Sequence, residues 1–544
     1  MTAVKRSHSG ILLIGVFILF ILSVPPCSFA GQVRNVIVMI PDGMSTGGYT
    51  LTRWYRGGGP MAMDALACGL VRTYSSDAAI ADSAPAATAM ATGFKSHTGF
   101  IGILPDEATM PGQKPIPEID KERPVATVLE AARLKGKATG LVVTCEVMHA
   151  TPAGFASHDP SRKNYDNLSE QEAYNGIDVV FGGGYKFFTP EGRKDGEDLI
   201  REMKKLGYAI ITTPEELKQT NAKKVFGLFA PEALSYDMDR DPAKEPSLAE
   251  MTKKSLEILS RNKNGFFLMV EGSQVDWAAH ANDPVGLISE ISAFDKAVKT
   301  ALDFAKKDRH TAILIMSDHG NGGVTMGDAG TTSNYDKTVL DDYLKVINKA
   351  KNTGGGLEKL LKPDMDDEAI KNTVAASYGI TDLSNEEIAA IRDGLANKKG
   401  ELNYVVGPMM SKRSHIGWTT GGHTGEDVLL FAYAPAGDRP TGTIENTDVA
   451  TITARYLGLD LDKTTTRLFM DANKAFAAKG AGIGIDAVSP ANPVLVVKKG
   501  ATEVRIPANK NYALVNGRTV ILDGVAVFNG ATWYVSRKAV DLVK

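Results

Sequence analysis

Cysteine is nearly absent: the 544 residues hold three, Cys27, Cys68 and Cys145. A chain this long buries enough apolar surface to fold without covalent staples, so a disulfide-built scaffold is excluded. Charge of one sign is scarce as well. Lys and Arg number 61 against 64 Asp and Glu, a formal net of −3, and no basic excess points to nucleic acid. Long apolar runs are missing with one exception, residues 11–24, and 14 residues are short for a membrane-spanning helix.

That exception has its own reading. Lys5 and Arg6 precede it, and Ser28-Phe29-Ala30 follows it. A charged start, an apolar middle and a small-x-small end make residues 1–30 a secretory signal peptide, cleaved after Ala30. The mature chain is then periplasmic or secreted and meets a membrane only during export. Cleavage removes Cys27. Cys68 and Cys145 either pair in that oxidising setting or stay as buried thiols.

Short apolar runs do recur, and they alternate with helical patterns. NVIVMIP at 35–41, TGLVVT at 139–144, the run at 177–181, FFLMV at 266–270, TAILIMS at 311–317 and VLLFAYA at 428–434 read as buried strands. Helical periodicity falls at 125–134, 197–206, 248–260, 284–305 and 449–457. The alternation predicts an α/β main domain over 31–475, a mostly parallel sheet with helices on both faces. Gly182-Gly183-Gly184 reads as a tight turn. Residues 320–415, with charged helices at 336–350 and 385–395, form an insertion. Residues 476–493, rich in Ala and Gly, read as a linker. Residues 494–544 alternate in strand fashion, with hairpin signals at Asn516-Gly517, Asp523-Gly524 and Asn529-Gly530. They predict a small β-rich domain.

In parallel sheets ligands bind at the carboxyl ends of the strands. Here those ends carry Asp42, Glu271, Asp318 and His319. One acidic strand end is ordinary; several that are acidic or bear histidine argue a metal site. Downstream of Glu271, a helix from about Gln274 puts Asp276 and His280 at i and i+4, on one face. Such a pair is a surface ion pair, or an oxygen and a nitrogen ligand suited to zinc. Gly422-His423-Thr424-Gly425 adds a third histidine in a turn. The segment Asp82-Ser83-Ala84-Pro85 opens a run of helix formers. Asp82 or Ser83 can cap that helix, and Pro85 fits its first turn. The Ser83 hydroxyl then stands at the positive end of the helix dipole, a good place to receive a phosphoryl group.

Six segments in order make the chain resemble the alkaline phosphatases over about 33–470. They are MIPDGM at 39–44, DSAPAATA at 82–89, HATPAGFASHDPSR at 149–162, MVEGSQVDWAAHAND at 269–283, SDHG at 317–320 and GGHTGED at 421–427. The resemblance implies a catalytic domain that hydrolyses small-molecule phosphate monoesters through a phosphoserine on Ser83. It implies two Zn²⁺ and one Mg²⁺. The first zinc takes Asp276, His280 and His423; the second takes Asp42, Asp318 and His319, with the Ser83 oxygen during turnover. Magnesium takes Asp42, Thr151 and Glu271. Arg162 then holds phosphate, and Asp82 orients it. The family suggests a homodimer.

Alternatives differ at identifiable positions. Ser83-Ala-Pro-Ala-Ala lacks the arginine of the C/S-x-P-x-R context that a sulfatase wants. A phosphodiesterase or phosphonate hydrolase of the same superfamily is the alternative enzyme, and Arg162 with the third-metal residues favours a monoester dianion instead. A phosphate-binding or adhesion protein with a relic site would have lost a zinc ligand, and none is lost. Two positions depart from the best-known bacterial members: His149 stands for Asp and Trp277 for Lys, next to the third metal site. Residues 494–544 are similar to the short N-terminal domain of copper amine oxidases, but hold no histidine and imply no copper. With every site residue ahead of the linker, residues 488–544 are expected to be dispensable for turnover.

Overall fold

The apolar runs assemble into one ten-stranded sheet. The computed structural model describes Thr2, 33–397 and 402–544; the signal peptide expected at 1–30 lies, Thr2 apart, outside the described residues. The strands are β1 (Asn35–Pro41), β2 (Ala67–Arg72), β3 (Ala138–Glu146), β4 (Val179–Gly183), β5 (Ala209–Ile211), β6 (Val225–Leu228), β7 (Phe266–Gly272), β8 (Thr311–Met316), β9 (Val428–Tyr433) and β10 (Gly442–Glu445). Their order is β10-β2-β9-β8-β1-β7-β3-β4-β6-β5. All run parallel except β9, which is antiparallel to β8 and β2. This is the expected α/β class, with one reversed strand that no local pattern announced.

Alternate residues of β1 serve opposite faces. Ile37 and Met39 join the core beneath the Leu248–Leu259 and Pro284–Asp308 helices. Val36, Val38 and Ile40 join the core beneath Ser83–Thr92, Val128–Leu134 and Ala150–Ala156. A strand covered on both sides must be apolar at every position, which is why β1, β7 and β8 read as continuous runs rather than alternating ones. Register sets Ile40 beside Glu271 and Met39 beside Ile315. The three strands therefore end level, and Asp42, Glu271 and Asp318 emerge together at one edge.

The insertion sits between β8 and β9 and is helical, its longer helices being Asp367–Tyr378, Asn385–Asn397 and Asn403–Arg413. Two short ladders close its base. Thr325–Met326 pairs with Ile416–Gly417, and Gly320–Asn321 pairs with His423–Thr424. Among the described residues no helix is long and apolar enough to cross a membrane. Cys68 and Cys145 are both free thiols, on β2 and β3 with four strands between them.

Three local readings are corrected. Gly182 and Gly183 belong to β4, and only Gly184 turns, at φ +96°; glycine permits the turn but does not cut short a strand whose neighbours supply its hydrogen bonds. Within 476–493, Gly482–Asp486 is an edge strand paired with Val494–Lys499. An edge strand needs hydrogen bonds on one side only, so low apolar content did not exclude it. Asp523-Gly524 makes no hairpin, because the flanking strands pair elsewhere, Arg518–Ile521 with Tyr512–Val515 and Val527–Phe528 with Trp533–Val535.

The C-terminal region is bound to the main body. Its antiparallel sheet runs from Gly482 to Ile521, while Trp533–Val535 pairs back onto Met470–Asp471. Lys510 Nζ, buried, reaches Glu170 at 3.1 Å and Glu197 at 2.7 Å. Asn509 donates to Asn167 at 3.2 Å and accepts from Gln171 at 3.0 Å.

Candidate active site

Asp42 follows the last residue of β1, and the chain turns at once through Gly43, φ +68°. A Cβ there would lie 2.6 Å from Asp276 Oδ1, so glycine lets this turn pass against the Asp276 carboxylate. Opposite, Ser83 begins the Ser83–Thr92 helix, every residue of which is buried. Asp82 is the N-cap by backbone geometry, yet its side chain makes no cap hydrogen bond. That carboxylate instead pairs with Arg162. The helix packs closely on Ala150–Ala156, because Gly154 faces Ala87: a Cβ on Gly154 would come within 2.8 Å of the Ala87 methyl. This contact brings Ser83 towards His149 and Thr151.

Three imidazoles meet here. His280 Nε2 lies 3.1 Å from His423 Nε2 and 3.3 Å from Asp276 Oδ2. His423 Nε2 lies 3.5 Å from Asp276 Oδ1. His319 Nε2 faces Asp318 Oδ2 at 3.2 Å, Asp42 Oδ1 at 3.5 Å and the Ser83 hydroxyl at 3.2 Å. The His319 and His423 rings stack with centroids 3.6 Å apart. Each Nδ1 is turned to a main-chain carbonyl: His280 to Gly421 and His423 to Ala81, both at 2.8 Å, and His319 to Gly320 at 3.2 Å. Neutral imidazoles that donate Nδ1–H to those carbonyls turn their Nε2 lone pairs inward, the disposition of metal ligands.

Two ligand sets have their donor atoms within 4.8 Å of one another: Asp276, His280, His423, and Asp42, Asp276, His319. The first is the expected first-zinc set. The second shares Asp42 and His319 with the expected one, and Asp276 stands between the two sets. Asp318 is also at hand, through its contact with His319. Glu271 faces Thr151 and Asp42, so the three residues expected at a third site are adjacent.

Electrostatics shows what the cluster wants. Burial, then the charges of Asp318, Asp276 and Glu271, push the Asp42 carboxyl well above the ordinary range. Burial first among causes pushes Glu271 up to about 7. Burial also opposes charge on Asp276, but the His280, His319 and His423 imidazoles outweigh it and hold this carboxyl low. Burial disfavours charge on His319, yet Asp318 and Asp276 raise it to about 9. Among the described residues, both Asp42 oxygens, Asp318 Oδ2, Glu271 Oε1 and Thr151 Oγ1 are buried and make no well-formed hydrogen bond, His319 being the one cationic neighbour of Asp42 Oδ1 and Asp318 Oδ2. Buried acceptors in that number call for cations.

A family model for alkaline phosphatase matches residues 33–459. Alkaline phosphatase 3 of Bacillus subtilis is 38% identical over 444 residues, covering 77% of this chain and 88% of that protein. The chain belongs to the alkaline phosphatase family. Solved alkaline phosphatases agree in fold. The cold-active enzyme of a psychrophilic Shewanella is 31% identical with a TM-score of 0.67, covering 78% of this chain and 99% of its own. The Thermus thermophilus enzyme is 28% identical with a TM-score of 0.70, covering 79% and 92%. As an alkaline phosphatase this chain is a metal-dependent hydrolase of phosphate monoesters.

Beside the cluster of this phosphatase, Arg162 contacts His149 Nε2 at 3.2 Å as well as Asp82. The His149 ring meets Trp277 edge to face, centroids 5.9 Å apart. Burial and the Arg162 charge lower His149 to about 4, so its imidazole is neutral near pH 7. Sequence reasoning missed three supporting residues. The Asn321 amide donates to Asp276 Oδ1 at 2.6 Å, the Cys145 thiol faces Glu271 Oε2 at 3.5 Å, and Glu426 accepts from the Ser45 hydroxyl. Asn321 and Glu426 lie in or beside quoted motifs, which was the available signal; nothing near Cys145 marked it.

Proposed function

We propose that this alkaline phosphatase transfers the phosphoryl group to Ser83 and then to water. The observation that carries the reading is the Ser83 hydroxyl at the rim of the carboxylate–imidazole cluster, 3.2 Å from His319 Nε2. The unpartnered buried oxygens and the inward Nε2 atoms fit metal ions. Asp276, His280 and His423 would hold one zinc, Asp42, Asp318 and His319 a second, and Asp42, Thr151 and Glu271 a magnesium. The metals would offset the charge of the phosphate and of the attacking and leaving oxygens. Arg162, steadied by Asp82, offers a planar fork to two phosphate oxygens. The helix that Ser83 opens adds its positive end. The Ser83 oxygen bonds to phosphorus as the ester P–O bond breaks, and the alcohol departs with a proton. Water then takes the phosphoryl group, phosphate leaves, and the Ser83 hydroxyl is restored.

A substrate panel tests the class. An aryl phosphate should turn over far faster than an aryl bis-ester or an aryl sulfate, since Arg162 and the third-site residues suit a dianion. Preference for the bis-ester would identify a phosphodiesterase or phosphonate hydrolase instead. The reading extends to organisation: residues 31–475 are the catalytic domain, 494–544 its appendage, the mature protein a periplasmic or secreted homodimer, and residues 1–30 its signal peptide.

His149 and Trp277 bear on product release. Neither supplies a charge where an Asp/Lys pair would, and Trp277 can at most pack or donate one N–H. The double change His149→Asp with Trp277→Lys is expected to tighten phosphate inhibition through the lysine charge beside the bound anion, the aspartate charge being offset by magnesium. It should also strengthen the dependence on magnesium. An inhibition constant that stays put in the metal-loaded variant would show that these positions do not control release.

A further inference from the structure

A cavity of about 620 Å³ opens beside Arg162 and follows the start of the Tyr165–Tyr174 helix to Ala491. That volume suits a small-molecule site. Its lining is of two kinds. Tyr165 and Phe187 meet edge to face, centroids 5.0 Å apart, and present ring surface. Lys163 and Lys194 are exposed along it, and among the described residues neither enters an ion pair. The acids of the same wall are engaged: Asp195 is paired with Arg193 at 2.5 Å, and Asp166 accepts from the Lys194 main-chain N–H at 3.1 Å. Asp166 keeps its negative charge, so with Lys163 and Lys194 unpaired the cavity carries an excess of one positive charge.

The far wall, Ala491, belongs to the C-terminal region, and it is tied in place. The neighbouring Asn492 donates to Glu197 at 3.1 Å, and Lys510 holds that same carboxylate. Asn509 binds Asn167 and Gln171 of the helix that begins three residues after Arg162.

We propose that this cavity receives the alcohol part of the substrate, and that it selects phosphomonoesters whose alcohol carries a flat ring and a second anionic group, as a nucleoside bisphosphate does. The proposal rests on the reading that Arg162 grips the reacting phosphate. A phosphate held by Arg162 would be bound by a residue that also lines this cavity. Its alcohol enters, the ring packs on Tyr165 and Phe187, and the second anion meets Lys163 and Lys194. Residues 488–544, expected from the sequence to be dispensable, supply one wall of the substrate site.

The test uses the full-length, metal-loaded enzyme. kcat/KM is measured for adenosine 3′,5′-bisphosphate, adenosine 5′-phosphate, glycerol phosphate and p-nitrophenyl phosphate. The bisphosphate should lead adenosine 5′-phosphate, and that ester should lead glycerol phosphate. In Lys163→Ala/Lys194→Ala the lead of the bisphosphate should fall about fivefold, the worth of two exposed charge contacts, through KM. Rising ionic strength should shrink the same lead in the unaltered enzyme. Ala491→Tyr, which narrows the far wall, should raise KM for the adenosine esters relative to glycerol phosphate. Equal kcat/KM across the three biological esters, or a lead that neither the double variant nor salt reduces, would overturn the proposal. Failure to turn over p-nitrophenyl phosphate would overturn the Ser83 and Arg162 reading, and this one with it.

Discussion

Ser83→Ala is expected to lower kcat about a thousandfold or more, roughly 4 kcal/mol of barrier. The change deletes one oxygen from a residue that is almost wholly buried, at the first position of a helix whose N-cap is Asp82. Alanine is a better helix former than serine, so the fold has no reason to suffer. What disappears is the group that takes the phosphoryl from the ester. Direct attack by water on a phosphate gripped by Arg162 would leave a small residue of activity. Labelled phosphate, quenched in acid during turnover, should mark Ser83 in the unaltered enzyme and nothing in the variant. A label on another side chain would refute the assignment of the nucleophile.

Exhaustive chelation should abolish turnover and lower the melting temperature together. Asp42, Glu271, Asp276 and Asp318 are all buried, and several of their oxygens make no hydrogen bond among the described residues. Without cations their mutual repulsion opposes folding. A metal present at a thousandfold excess over its dissociation constant contributes about 4 kcal/mol to the folded state. Calorimetry before and after chelation reads that contribution without reference to activity. Zinc should restore most of the turnover, and magnesium a further increment. Full activity in a protein shown by metal analysis to be empty would sink the three-metal reading.

The candidate site was legible to the degree that its signals are local. Asp42, Glu271 and Asp318 each close an apolar run, so their common position at strand ends follows from the strand pattern alone. Asp276 and His280 share a face because four residues make about one helical turn, and the structure has them 3.3 Å apart. The caps of the Ser83–Thr92 helix were less legible. Asp82 and Ser83 looked equally able to cap, and the partner that claims the Asp82 carboxylate, Arg162, lies 80 residues away. His423 had only a glycine-rich turn to mark it. It reaches the cluster through a two-residue ladder with Gly320–Asn321 that spans the whole insertion.

By itself the sequence determined the class of the fold and named the candidate site residues that the structure gathers. Periodicity and residue type are properties of neighbouring positions, and burial on both sheet faces writes itself into every residue of β1 and β7. Tertiary structure alone decided the reversal of β9, the use of Gly482–Asp486 as an edge strand, and the place of Asp276 between two ligand sets. It also decided that the C-terminal region walls a cavity beginning at Arg162. Each of these depends on which segments pair across long stretches of chain. Hydrogen bonds between strands and contacts between helix faces are nearly indifferent to side-chain identity at any one position, so no local pattern can encode them.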